Sequence, residues 1–329
     1  MGTHSSDERP TLDAFLSQTI GQQGRAGRDF VALCQSIAVA GKMISSKVNL
    51  AGLAGMIGET GETNVQGELV QMLDQYAHDA FLSALSHRGH TALIVSEESE
   101  EALVVDTPEA PGRYIVAVDP LDGSSNIDCN VTIGTIFGIF ERKGERATVD
   151  DVFCRGDDIY AAGYVIYGSG TLIVLATDEG VNGFTLDPAV GEFYLSHPDI
   201  KMPRGKIYSC NEAYSLQWAP GYTRWIDGAK QAGWKARYVG SLVADVHRNL
   251  LKGGVYFYPA STSAPKGKLR LLYEGFPLAF MVEKAGGGAT DGVERILDRV
   301  PTALHERTPL LIGDSDSVAE LTRLAQEDN

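Results

Sequence analysis

Two aspartates three residues apart, Asp119 and Asp122, flank a Pro-Leu pair within residues 118–128, VDPLDGSSNID. Carboxylates at that spacing on a tight turn can face one point and hold a hard cation there. The stretch continues through Gly123, Ser124 and Ser125 to Asn126 and Asp128. Gly123 lets the backbone come close to a ligand. Its N–H and those of Ser124 and Ser125, at the start of a short helix, suit an anion such as phosphate. Carboxylates facing a cation beside amides facing a phosphate are the parts of metal-assisted phosphoryl transfer. Taken alone, Pro-x-Asp-Gly is also an ordinary surface turn. An EF-hand calcium loop is excluded, because its glycine at position six would put Val118 where an Asp ligand belongs.

Other elements must position that turn. Residues 114–118 (YIVAV) form a short apolar run rich in β-branched side chains and read as a buried strand. Pro120 fixes φ and has no N–H, so it is expected to stop the strand and turn the chain. Residues 91–95 (TALIV) read as a neighbouring strand, with Glu97 and Glu98 directly off its end in the acidic run 96–101 (SEESEE). Acidic runs are usually solvated. Ligand sites in open α/β sheets gather at strand ends, however, so two such ends loaded with carboxylates make a metal-site candidate. Glu68 and Asp74 fall on a helix expected to start within 64–68 (NVQGE) and to reach about Ser86. They read either as solvated helix charges or as part of the same site.

Composition narrows the function classes. The chain has 329 residues, 43% hydrophobic and 22% charged, which is ordinary globular composition. A net charge of −15 argues against nucleic acid, whose backbone needs a basic face. An anionic substrate would need a pocket where metal ions, Lys and Arg reverse that charge. Cys34, Cys129, Cys154 and Cys210 are widely spread with no CxxC pair, which fits buried thiols in a reducing compartment. No apolar run approaches the ~20 residues of a membrane span, so no membrane partner is expected. The start, MGTHSSDERP, lacks the apolar core of a signal peptide and reads as disordered. The expected location is cytoplasmic. A removed transit peptide would make it the plastid stroma.

The remaining chain alternates helix and strand. Helices are expected over 11–22 and from Asp29 as N-cap to about Lys47, with a flexible glycine-rich link at 21–27 and a mobile loop at 49–61. Residues 132–140, 161–167 and 171–177 read as strands, 141–158 as a solvent loop, and 184–186 with 192–195 as a hairpin. Residues 197–205, polar with two prolines, read as a domain seam. Beyond it, strands are expected at 207–210, 237–239, 255–258, 269–273 and 309–312. Helices are expected at 222–231, 242–251, 274–285 and from Asp314 or Ser315 to about Gln326. A break is expected at 286–288. The chain shows no internal repeat.

Residues 118–128, 96–98, 64–68, 211–214, 237–248 (RYVGSLVADVHR), 253–259 and 266–274 (KGKLRLLYE) together resemble the fructose-1,6-bisphosphatases. These belong to the magnesium-dependent, lithium-sensitive phosphatase superfamily. DPLDGSSNID with KLRLLYE is specific to them, whereas DPxDG alone marks the wider superfamily, including inositol monophosphatases. The resemblance implies an α/β sugar phosphatase fold layered α-β-α-β-α. It further implies two subdomains, residues 1–200 and 201–329, each with a central mixed sheet flanked by helices. It implies hydrolysis of the 1-phosphate of fructose 1,6-bisphosphate. Glu97, Glu98, Asp119, Asp122 and Glu274, with the Leu121 carbonyl, resemble the ligands of two or three Mg²⁺ ions per subunit, with Mn²⁺ as the alternative. Gly123, Ser124 and Ser125 would hold the 1-phosphate. Asp74 with Glu98 would orient and deprotonate water, and Glu68 would organise the segment before them; the family often has Asp there. Asn211, Tyr214, Tyr238 and Tyr258 resemble the 6-phosphate site, Lys268 the sugar contact, and Ser241–Leu242 the backbone pair at the sugar hydroxyls. Arg237 resembles an arginine that reaches the 6-phosphate of a neighbouring subunit, which implies a homotetramer.

Three other functions compete. Sedoheptulose-1,7-bisphosphatase, or a dual enzyme, would share the metal centre, but 211–214 and 237–238 match the fructose form. Inositol monophosphatase would leave KLRLLYE without a role. A catalytically silent metal-binding regulator would show a broken site, and no ligand is missing. The AMP site of some relatives is expected to be vestigial. Residues 24–27 (GRAG) lack its hydroxyls, Arg113–Tyr114 survives, and Glu141 stands where an arginine is expected.

Overall fold

The computed structural model describes residues 9–54, 59–63, 69–86 and 89–327. The N-terminal tail and residues 64–68, with Glu68 and the expected start of the third helix, lie outside them. Thr11 accepts a hydrogen bond from the Ala14 N–H and caps the helix Leu12–Thr19. The next helix, Gly24–Val48, starts five residues before the expected cap. The glycine-rich link is therefore mostly helical. Gly27 explains why it is glycine-rich, since a Cβ there would sit 2.0 Å from the Ile20 carbonyl oxygen. Asp29 lies inside this helix, facing Arg25 at 3.6 Å and His90 at 3.6 Å.

The expected loop at 49–61 instead contains a helical turn, Ala51–Ala54, and a strand, Glu59–Thr63, paired antiparallel with Leu69–Gln71. The third helix, Met72–Ser86, starts at the end of that hairpin.

An eight-stranded mixed sheet follows in the order Glu192–His197, Gly180–Asp187, Thr171–Thr177, Ala161–Tyr167, Ile133–Glu141, Tyr114–Asp122, Thr91–Ser96, Leu103–Val104. Only Thr91–Ser96 and Tyr114–Asp122 run parallel; the other pairs are antiparallel. The central strands are apolar without alternation because both faces are covered. On one face Val116 and Val118 pack with Phe30, Leu33 and Phe81 of the N-terminal helices. On the other, Ile115 and Ala117 share a core with Val243 and Val246 of the helix Leu242–Lys252 and with Leu278 and Met281 of the helix Phe276–Lys284.

The same core reaches a second, five-stranded sheet through Tyr256, Leu310 and Ile312. Its order is Lys235–Ala236, Ile207–Ser209, Val255–Tyr258, Leu310–Asp314, Gly287–Thr290, again mixed. Its far face, with Phe257 and Leu311, packs on Trp225 of the helix Pro220–Gln231 and Leu321 of the helix Ser315–Gln326. The result is the expected α-β-α-β-α stack.

Several boundaries differ from expectation for identifiable reasons. Residues 141–158 are not simply a solvent loop, since 3₁₀ turns at Val149–Val152 and Gly156–Asp158 bury Val152 and Cys154 in the central core. Residues 286–288 are not only a break, since Gly287–Thr290 is an edge strand. The strand expected at 237–239 is instead Lys235–Ala236. Residues 237–240 hang as a loop on the buried Asp245 carboxylate, which accepts N–H bonds from Val239 at 3.1 and 2.9 Å and from Gly240 at 3.1 Å.

Candidate active site

The strand carrying the two aspartates does not stop at Pro120. It runs from Tyr114 to Asp122, and its register against Ile133–Glu141 shifts, with Asp119 opposite Ile136 and Asp122 opposite Gly134. Three steps on one strand thus match two on the other, which is a β-bulge. In a regular strand, residues three apart point to opposite faces. The extra residue lets both aspartates face the same cavity. Proline is tolerated there because a bulge does not ask it for an N–H. Two bonds hold the bulge. Thr135 donates to the Pro120 carbonyl at 2.8 Å, and the Leu121 N–H donates to Asp119 Oδ1 at 3.0 Å.

Asp122 is held from the other half of the chain. The Ser241 hydroxyl donates to its Oδ2 at 2.9 Å and the Val243 N–H at 2.8 Å. Ser241 is also the N-cap of the helix Leu242–Lys252, so that helix start grips the carboxylate. Gly123 follows with φ 80°, ψ 26°, the left-handed region, and a Cβ there would lie 2.9 Å from Ser241 Cβ. No L-residue with a side chain fits that position without strain. The expected short helix is the 3₁₀ helix Ser124–Cys129.

Glu97 and Glu98 come off the end of Thr91–Ser96, the strand parallel to the bulged one. The Glu97 N–H still donates to the Val118 carbonyl at 3.0 Å, which keeps the two strand ends side by side. Behind them His78 meets the Ser96 hydroxyl at 3.0 Å, fixing the helix that carries Asp74 against this end. Glu274 arrives from the far half. It does not begin a regular helix after a long strand, as expected. The strand is only Leu269–Arg270, and Leu271–Gly275 form a π-helical turn that leads into Phe276–Lys284. The Arg270 N–H donates to Glu274, and the Arg270 guanidinium pairs with Glu97 at 2.8 Å.

These side chains line one small cavity of about 80 Å³, which Asp74, Glu97, Glu98, Asp119, Leu121, Asp122, Gly123, Ser124, Arg270 and Glu274 all border. One carboxylate oxygen each from Asp119, Asp122 and Glu274 lie within 4.8 Å of one another. Burial and mutual repulsion oppose ionisation there. Burial, then Glu97, Asp122 and Glu274, push Asp119 well above the usual carboxylate range. Burial pushes Asp122 up to about 6 against the opposing bonds from Val243, Ser241 and Leu242. Burial drives Glu274 to about 8, with Arg270 pulling the other way. Crowded, buried carboxylates of this kind take up either protons or a cation. An all-oxygen donor set fits a hard divalent ion.

A larger cavity of about 500 Å³ opens from the same point and shares Asp122, Gly123, Ser124, Arg270 and Glu274. Its walls add Ser125, Leu242, Tyr238, Tyr258 and Lys268, together with Tyr256 and Arg307. Lys268 stands over the Tyr214 ring at 5.3 Å, which joins Tyr214 to this end. Asn211 caps the turn Glu212–Gln217, accepting from the Ala213 N–H at 3.2 Å, and does not border the cavity. Arg237 is exposed; its guanidinium donates to the Ala236 carbonyl at 2.8 Å, its backbone N–H donates to the Tyr208 carbonyl at 2.9 Å, and its own carbonyl accepts from Arg248 at 3.1 Å.

Three residues outside the expected set support the site: Arg270, the counter-charge of Glu97; His78, behind Ser96; and Asp245, which shapes the 237–240 loop. A cation inside the apolar run LRLLYE was a usable signal for Arg270. Nothing local marked the other two.

A five-layer α/β stack with carboxylates converging where two parallel strands end defines the class, a layered sugar phosphatase. Within that class the family description "Fructose-1-6-bisphosphatase, N-terminal domain" matches residues 11–198, and its C-terminal counterpart matches 202–326. The chain belongs to the fructose-1,6-bisphosphatase family. Among its relatives, a cytosolic fructose-1,6-bisphosphatase of Musa acuminata is 50% identical, covering 99% of this chain and 97% of its own. A class 1 fructose-1,6-bisphosphatase of Chloroherpeton thalassium is 49% identical, covering 94% and 91%. The crystal structure of Leishmania major fructose-1,6-bisphosphatase in holo form superposes with a TM-score of 0.91 at 38% identity, covering 97% of this chain and 99% of that one.

Proposed function

We propose that the chain hydrolyses the 1-phosphate of fructose 1,6-bisphosphate, releasing fructose 6-phosphate and inorganic phosphate. The observation that supports this reading most is the junction of the two cavities at Asp122–Ser124. Carboxylates lie on one side, and a tyrosine- and lysine-lined space of about 500 Å³, within the usual range for a small ligand, on the other.

Glu97, Glu98, Asp119, Asp122, Glu274 and the Leu121 carbonyl would hold two or three Mg²⁺ or Mn²⁺ ions, which neutralise phosphate charge and acidify water. Gly123, Ser124 and Ser125 hold the 1-phosphate. Asp74 and Glu98 orient the attacking water and take its proton as the new P–O bond forms and the bond to the sugar oxygen breaks; that oxygen leaves as an alkoxide and takes a proton from solvent to become the C1 hydroxyl. Glu68 belongs to this reading as the organiser of the preceding segment. Asn211, Tyr214, Tyr238 and Tyr258 take the 6-phosphate, Lys268 the sugar, and the Ser241–Leu242 backbone its hydroxyls. Residues 1–200 thus carry the reacting phosphate and 201–329 the sugar, with Glu274 reaching across. The exposed Arg237 guanidinium supports a role in the neighbouring site of a homotetramer. The cytosolic names of the plant relatives support the cytosol as its location.

The test is phosphate release in Mg²⁺ from fructose 1,6-bisphosphate and, separately, from sedoheptulose 1,7-bisphosphate. Faster release from the first is expected. No release from either, with Mg²⁺ or Mn²⁺ and folded protein, would overturn the proposal.

A further inference from the structure

We propose that His305 is a positioning residue of the metal centre, tying together the two segments that bring Glu97, Glu98 and Glu274 to it. The inference rests on the metal-dependent reading above.

His305 lies just before the short strand Arg307–Thr308, which is laid antiparallel along Leu269–Arg270. The Leu271 N–H, donating to the Glu306 carbonyl at 2.8 Å, extends that attachment to the π turn. From there the imidazole reaches two ways. Its Nε2 lies 3.1 Å from the Ser99 carbonyl oxygen, 206 positions away in sequence. A carbonyl only accepts, so Nε2 carries the hydrogen. Nδ1 then offers a lone pair, and the Tyr273 hydroxyl donates to it at 2.8 Å. The two rings also meet edge to face, 5.9 Å apart. Tyr273 is fully buried and directly precedes Glu274; Ser99 directly follows Glu98.

One ring therefore bridges the strand-end loop from the first half and the π turn from the second. The carboxylates on those segments repel one another and push them apart. The Arg270–Glu97 ion pair opposes this too, but it occupies the charge of a ligand. The His305 tie joins a neutral hydroxyl to a neutral carbonyl and itself uses no carboxylate oxygen. It fixes separation without changing charge. Groups that orient ligands from behind typically set metal affinity by 10–100-fold.

The experiment titrates Mn²⁺ alone into the full chain, reading free Mn²⁺ by its paramagnetic resonance signal. His305→Ala should raise the dissociation constant about tenfold or more. Tyr273→Phe, which removes a single oxygen, should raise it severalfold. The double variant should be no weaker than His305→Ala, because both changes cut the same tie. At saturating Mn²⁺ the KM for the bisphosphate should stay within about twofold. Unchanged Mn²⁺ affinity with a lower melting temperature would make His305 merely structural and overturn the proposal. So would additive losses in the double variant. If His305→Ala does not fold, Tyr273→Phe decides alone, and wild-type affinity in it overturns the tie. A wild-type chain that binds no Mn²⁺ would remove the metal reading and this inference with it.

Discussion

At the scale of single residues, the chemistry rests on carboxylates kept at the edge of what burial allows. Glu98 is the least buried of them, half-buried on the loop beyond Ser96. Glu98→Gln keeps its shape and removes its charge. It should lower kcat by roughly two orders of magnitude or more, with circular dichroism and melting temperature near wild type. Wild-type turnover in this variant would take the base away from Glu98. Asp122 and Glu274 carry a pH signature. Burial raises Asp122 to about 6 and Glu274 to about 8 in the folded chain, above their unfolded values. The folded state then binds more protons than the unfolded one. Their contribution to stability is present below the unfolded values, near pH 4, and is lost as pH rises through 6 to 8. A divalent cation substitutes for those protons. Saturating Mg²⁺ should therefore raise the melting temperature more at pH 8 than at pH 5.5. An equal rise at both would separate the carboxylates' ionisation from metal binding.

At the scale of elements, the bulged strand and its partner decide the regulatory prediction. Tyr114 pairs with Glu141 across the ladder, and Arg113 forms an ion pair with Glu141. Tyr114 is fully buried and its hydroxyl donates to the Ala26 carbonyl at 2.9 Å. Of the residues that would bind AMP in relatives, one cation is neutralised by the carboxylate beside it and the tyrosine hydroxyl is already engaged. A hydrogen bond to a charged group is worth ~1–3 kcal/mol, so two lost bonds weaken binding by a factor of order 10²–10³ or more. AMP at micromolar concentration should not inhibit phosphate release. A low-micromolar midpoint would refute this. Glu141→Arg should raise AMP sensitivity if the site is only disabled, and leave it unchanged if the site is gone.

At the scale of the whole molecule, two predictions concern what lies outside one active site. Arg237→Ala should raise KM several-fold with kcat nearly unchanged, because the residue is assigned to the non-reacting phosphate of a neighbouring subunit. A fall in kcat at constant KM would reassign it. Cys34, Cys154 and Cys210 are buried free thiols and Cys129 is exposed. Burial raises Cys34 and Cys210 far above ordinary thiol values and Cys154 to a lesser degree, so they stay protonated and unreactive. Reduced thioredoxin should leave activity unchanged. A reversible several-fold activation would require a disulfide between distant segments or subunits.

What the sequence by itself determined is local in range. DPLDGSSNID, the paired glutamates after TALIV and the helical spacings were legible because residue type and period act over a few positions. A helix cap at Asp314 or Ser315 was legible from residue type, and the Asp314 side chain accepts from the Ser317 N–H. Tertiary structure decided the rest. Pro120 reads as a stop, yet partner register made it a bulge, and only that bulge turns Asp119 and Asp122 the same way. Residues 21–27 read as a flexible link, yet 24–27 are helix, with Gly27 packed closely on Ile20. Glu274 reads as a helix start, yet the Arg270 and Arg307 strands wound it into a π turn beside Glu97. Arg270 with Glu97, His78 with Ser96 and His305 with Ser99 meet partners that only the packing of separate elements brings near. A contact between residues 206 positions apart, like that of His305 with Ser99, leaves no trace in local spacing. Its existence depends on loop closure and core packing, which belong to the folded chain as a whole.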